Sequence, residues 1–97
     1  MRSCYIVAYD ISNQKRLRQV HRTLQGYGES LQYSVFLCLL SAKEKVLLLE
    51  ALTSIINHKE DQVMFVNLGS TDGRISQSFE TLGKPLTLKA ERIAVIV

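Results

Sequence analysis

Apolar and polar positions alternate along this chain with periods that change from element to element. Residues 3 to 9, Ser-Cys-Tyr-Ile-Val-Ala-Tyr, are apolar at nearly every position. That pattern predicts a strand buried on both faces and central in its sheet. The run stops at one carboxylate, Asp10, and Ser12 or Asn13 then offers a side-chain oxygen to cap a helix. In that helix Leu17, Val20 and Leu24 recur at i, i+3 and i+7, while Lys15, Arg18 and Arg22 repeat the spacing on the opposite side. Arg16 falls on a flank. Gly26-Tyr27-Gly28 ends the helix, glycine tolerating a left-handed cap.

Residues 30 to 40, SLQYSVFLCLL, predict strand, as a bent pair broken near Gln32 to Ser34. Ser41 and Glu44 form the S-x-x-E capping box of a second helix over 42 to 56. Its apolar residues Val46, Leu47, Leu48, Leu49, Leu52, Ile55 and Ile56 give a wide stripe for the core. A polar turn, His58-Lys59-Glu60-Asp61, leads into a strand at Gln62 to Leu68, with Val63 and Phe65 on one face and Met64 and Val66 on the other. Beyond Leu68 the pattern loosens into a glycine-containing stretch with the only proline, where a helical turn near Ile75 to Leu82 is one option. The closing Arg92-Ile93-Ala94-Val95-Ile96-Val97 is apolar enough to require a pairing partner. The expected division is a core over 1–68, a variable loop over 69–91 and a C-terminal strand over 92–97.

This order places two βαβ-type halves on one sheet with the helices on one face, the α+β, ferredoxin-like βαββαβ sandwich with an extra C-terminal strand. The uncovered face and the spare strand predict a homodimer.

The 97 residues suit one domain, and 46% hydrophobic with 22% charged residues is a globular composition. The two cysteines, Cys4 and Cys38, lie in strand patterns and are expected as buried thiols, not a disulfide framework. No run approaches the length of a membrane span and no secretory h-region opens the chain, so a cytoplasmic protein with no membrane association is expected.

The net charge of +3 changes the picture only through its distribution. Lys15, Arg16, Arg18 and Arg22 are the charged residues between Ile11 and Gly28, so this segment carries +4 and the remainder −1. A phosphate-facing surface and a solvated helix face both fit. Asp10 is either a turn residue or, if two copies meet across a two-fold axis, a Mg²⁺ ligand supplied twice. His21 is expected to pack and His58 to be solvated. Tyr5 and Tyr9 share a strand face, for core packing or base stacking. Zinc, serine-hydrolase, nucleotide-hydrolase and RNA-recognition-motif signatures are all missing from the sequence.

YIVAYDIS followed by KRLRQVHRTLQGYGESLQYSVF resembles the signature of the CRISPR-associated protein two family, the small partner of the CRISPR integrase. The resemblance runs from about Tyr5 to Leu68. It implies a ferredoxin-like homodimer whose C-terminal strand packs on the partner's sheet, and a Mg²⁺-dependent endonuclease acting on RNA or double-stranded DNA. It further implies that the dimer bridges integrase dimers and binds pre-spacer DNA during adaptation. Carried onto this chain, Asp10 is the metal ligand, Tyr9 its neighbour, Arg16 and Arg18 the helix cations, and Ser34 and Phe36 strand residues near the dimer cleft. Lys15, Arg16, Arg18 and Arg22 are the expected nucleic-acid contacts. Many members carry an arginine where this chain has Ser30-Leu31, a departure that bears more on cleavage than on binding. A non-catalytic DNA-binding scaffold and a toxin-like ribonuclease on the same fold are the alternatives.

Overall fold

The structure, a computed structural model, describes residues 1–70 and 79–86. The elements run β1 (Ser3–Asp10), α1 (Gln14–Gln25), β2 (Gly28–Gln32), β3 (Val35–Leu40), α2 (Ala42–Ile55) and β4 (Gln62–Ser70). The four strands form one sheet in the order β2-β3-β1-β4. β1 is antiparallel to both its neighbours, as β3 is to β2. This is the expected ferredoxin-like βαββαβ architecture. The closing strand over 92–97 and most of the helical turn near 75–82 lie outside the described residues, and 79–82 carry no helix.

Each helix begins where the sequence placed a cap. The Asn13 side chain accepts a hydrogen bond from Arg16 N at 3.0 Å. Ser41 Oγ accepts from Glu44 N at 3.1 Å and Glu44 Oε1 accepts from Ser41 N at 2.8 Å, closing the capping box. Arg2 donates to both Glu44 oxygens, at 3.0 and 3.1 Å. The Arg2 pair, then the Ser41 backbone donor, lowers the Glu44 pKa to about 2.

The glycines after α1 work differently from expectation. Gly26 caps the helix in a right-handed conformation, φ −79° and ψ −11°. Gly28 is required by space: a Cβ there would overlap the Leu37 carbonyl oxygen and stand 2.6 Å from Cys38 Sγ. The close pairing of β2 on β3 therefore depends on a missing side chain and not on a positive φ.

The helices cover one sheet face. Tyr5, Val7 and Tyr9 of β1, Phe36, Cys38 and Leu40 of β3, Val20 and Leu24 of α1, and Leu48 and Leu52 of α2 pack into one core. On the other face Cys4 and Leu37 are buried among Ile6, Leu31, Leu39 and Phe79, while Ile6 and Ala8 are only half-buried. Met64, Val66 and Leu68 stand exposed on β4, Met64 by 52%. Among the described residues of one copy, β1 is thus buried at Tyr5, Val7 and Tyr9 on the helix face and at Cys4 on the other. The α2 stripe is corrected, because Val46, Leu47 and Leu49 are exposed. Adjacent helix residues point about 100° apart, so three consecutive apolar residues cannot all face one sheet. Among the described residues no helix is long and apolar enough to cross a membrane.

Candidate functional site

Asp10 is the last residue of β1, in register with Gln62 of β4, and it is exposed. Strand alternation puts its side chain in the row of Ile6 and Ala8, on the face the helices leave open. Its carboxylate makes no hydrogen bond or ion pair among the described residues. The same residues contain no group of three metal-ligating side chains. One unengaged carboxylate at an exposed strand end fits the donor set of Mg²⁺, which commonly takes one or two carboxylates and completes six oxygens with water and substrate phosphate.

Arg16 was expected to face nucleic acid, and the structure gives it another job. Its Nε donates to Asp61 Oδ2 at 2.7 Å and its Nη2 to Asp61 Oδ1 at 3.2 Å and Glu60 Oε1 at 3.3 Å. Asp61 also accepts from Ser12 N, Ser12 Oγ and Asn57 N, at 3.0, 3.1 and 2.8 Å. The Asp61 side chain is 0% exposed. Arg16 above all holds its carboxyl well below the usual carboxylate range. These bonds tie the loop that follows Asp10 to the turn between α2 and β4. Arg16 is therefore a clamp for that loop, its guanidinium already satisfied by two carboxylates. Sequence reading missed Asp61 because it lies 45 positions from Arg16 in a turn that looks merely polar.

The remaining cations diverge around the helix. Arg16 and Arg18 are two residues apart and so point about 160° apart. Arg18 and Arg22, one turn apart, border a groove whose other wall is the β2–β3 turn, and both are exposed. Lys15 is exposed and is not part of that groove. The predicted stripe of Lys15, Arg18 and Arg22 is thus divided into a groove wall and a solvent-facing lysine, with the flanking Arg16 a half-buried clamp.

Tyr9 forms the floor of this groove. Its hydroxyl donates to the Tyr33 carbonyl at 3.2 Å and lies 2.9 Å from His21 Nδ1. The Tyr9 hydroxyl thus sits between the Tyr33 carbonyl and His21 Nδ1, and the tautomer of His21 sets whether Nδ1 donates to it or accepts from it. Burial, then the Tyr33 phenol, raises the Tyr9 pKa. Ser34 contributes its main-chain carbonyl, which accepts from Tyr9 N at 3.1 Å. Phe36 is fully buried on the helix side, its ring 5.2 Å edge-on from His21 and 6.3 Å from Tyr9. Phe36 thus supports Tyr9 and His21 from beneath, within the helix-side core. The structure therefore brings Tyr9, Arg18, Ser34 and Phe36 together with His21 and Tyr33, and leaves Asp10 on the opposite sheet face. His21 was expected only to pack, and its i+4 relation to Leu17 on the stripe border carried no further signal.

Comparison with known proteins fits this geometry. The sequence model described as "CRISPR associated protein Cas2" matches residues 3–74. The chain is 39% identical over 93 residues to the Rhodospirillum rubrum protein named CRISPR-associated endoribonuclease Cas2 1, covering 96% of this chain and 89% of that one. It is 38% identical over 84 residues to the Geobacter sulfurreducens CRISPR-associated endoribonuclease Cas2, covering 87% of each. Among solved structures, Streptococcus pyogenes Cas2 superposes with a TM-score of 0.74 at 35% identity, covering 82% of this chain and 99% of that one. By sequence and by fold, this chain belongs to the CRISPR-associated Cas2 family.

Proposed function

We propose that this protein is a Mg²⁺-dependent endonuclease of CRISPR adaptation, working as a homodimer. The observation that carries the reading is the unengaged Asp10 carboxylate at the end of a strand whose open face is lined by Ile6, Ala8, Met64 and Val66. A half-exposed apolar sheet face is stabilised by a second copy of itself, and a two-fold axis there brings two Asp10 side chains towards each other. Asp10 would hold the ion, which when bound polarises a phosphodiester and lowers the pKa of a coordinated water. The Arg16–Asp61 clamp fixes the loop that carries Asp10 into α1. The names of the relatives, endoribonucleases from Rhodospirillum rubrum and Geobacter sulfurreducens and an endonuclease from Halalkalibacterium halodurans, support a nuclease and, for the first two, RNA as substrate, with double-stranded DNA the other candidate.

The test is cleavage of labelled single-stranded RNA and duplex DNA with Mg²⁺ added or chelated, with mass measured by light scattering. Asp10→Asn is expected to remain a dimer and to lose at least ~100-fold in rate. Cleavage that survives either the substitution or chelation would sink the assignment.

A second reading is a non-catalytic scaffold that holds pre-spacer DNA and docks the integrase. The engagement of Arg16 favours it, since one cation is withdrawn from the cleavage chemistry and none from Lys15, Arg18 or Arg22. A dimer that binds duplex and cuts no substrate would establish this reading over the first.

A further inference from the structure

The groove between α1 and the β2–β3 turn, about 400 Å³ in volume, has no part in the Asp10 chemistry. Its size is that of a site for a single small ligand. Three features define what it would take. Arg18 and Arg22 lie one turn apart, exposed, and no carboxylate among the described residues is within ion-pair distance of either. Two unneutralised guanidinium groups at that spacing suit a phosphate, whose several oxygens accept paired N–H donors.

Tyr33 is 82% exposed, yet its backbone is fixed because its carbonyl accepts the Tyr9 hydroxyl. A ring presented to solvent from an anchored turn is a stacking platform, since ordering it on a ligand costs little conformational entropy. Finally, His21 has Nδ1 committed to Tyr9, which leaves Nε2 for a polar group of whatever enters.

We propose that this groove binds one unpaired nucleotide, with its phosphate on Arg18 and Arg22 and its base on Tyr33. Inside a duplex both base faces are already stacked, so the ligand is a single-stranded segment or a frayed end. The proposal rests on the nucleic-acid reading for the polymer involved, but its locus is on the sheet face opposite Asp10. The two can therefore fail separately.

Isothermal titration with adenosine 5′-monophosphate, adenosine and inorganic phosphate tests it. The monophosphate is expected to bind at least ~10-fold more tightly than either fragment. Tyr33→Ala is expected to remove about 10-fold from monophosphate affinity and nothing from phosphate affinity, because the bond from Tyr9 goes to the main chain and survives. Arg18→Gln with Arg22→Gln is expected to weaken both ligands by about 10-fold. Asp10→Asn is expected to bind the monophosphate as wild type does, so lost cleavage with retained binding separates this site from the proposed metal site. Equal affinity for monophosphate and phosphate, or a Tyr33→Ala titration matching wild type, would overturn the proposal. So would tight duplex binding without monophosphate binding, which would assign the arginines to backbone contacts alone.

Discussion

Arg16 and Arg18 are the same residue type, two positions apart on one helix, and they do opposite work. Arg16 is spent inside the molecule on Asp61 and Glu60. Arg18 borders an open groove beside Arg22 and Tyr33. What separates them is the ~160° between their directions on the helix, which turns one towards the α2–β4 turn and the other towards the β2–β3 turn. Charge density along a sequence therefore overstates the cationic surface that a ligand meets. The useful count is of cations without an internal carboxylate.

The largest effect that sharpens this contrast is expected from Asp61→Ala. It removes the acceptor of two loops at once and leaves Arg16 with only the exposed Glu60, and the midpoint of thermal unfolding is expected to fall by ~10 °C. A fall of less than ~2 °C would show that the clamp does not hold the loop. The pH dependence has a definite sign. The folded-state Asp61 pKa is depressed, so its stabilisation is complete above the ordinary carboxylate range near pH 4 and is lost as pH falls through and below that range. Acid unfolding of Asp61→Ala should accordingly be the shallower of the two.

Arg16→Gln comes next, with an expected loss of ~5 °C and an unchanged salt dependence of nucleic-acid binding. Arg18→Gln should give the reverse, a melting midpoint within ~1 °C of wild type and a salt slope reduced by about one. If Arg16→Gln also flattened the slope, the division of labour between the two arginines would be wrong. The smallest effect is expected from Glu44→Gln, which keeps an amide oxygen for the capping box but loses the charge opposite Arg2. Because that pair is partly exposed, a fall of ~1–2 °C at neutral pH is expected. With Glu44 lowered to about 2, this contribution is present above the ordinary value of 4.5 and vanishes as pH falls between the two. Wild type and Glu44→Gln should therefore converge in stability near pH 2.

Much of the fold was legible because its signals are local. The Ser41–Glu44 capping box needs residues three apart, and the two faces of β4 need only alternation, with Val63 and Phe65 inward and Met64 and Val66 outward. The α1 stripe was read from spacing alone, and Val20 and Leu24 are buried as expected. An error arose where a local pattern was compatible with more than one neighbour. Leu47 and Leu49 are as apolar as Leu48, but the helix layer is one-sided and only Leu48 reaches the sheet.

The candidate sites were legible in composition and not in arrangement. Asp10 stood out as the acid that ends an apolar run, and the structure leaves it exposed and without a partner among the described residues. Tyr33 gave no such signal, because an aromatic in a turn becomes a platform only when its backbone is anchored from Tyr9, 24 positions away. His21 likewise has its Nδ1 engaged by a hydroxyl 12 positions away.

By itself the sequence determined the element order, the helix caps, the concentration of positive charge in α1 and the family to which the chain belongs. These rest on periodicity and on contacts between residues a few positions apart. Only the tertiary structure decided which arginine is consumed by Asp61, which faces a groove, and which sheet face carries Asp10. Those outcomes depend on long-range pairings fixed by sheet register and by the rotation of α1 about its own axis. A slip of one residue in strand register would turn every β1 side chain to the other face, and a shift of one residue along α1 would turn its arginines by about 100°.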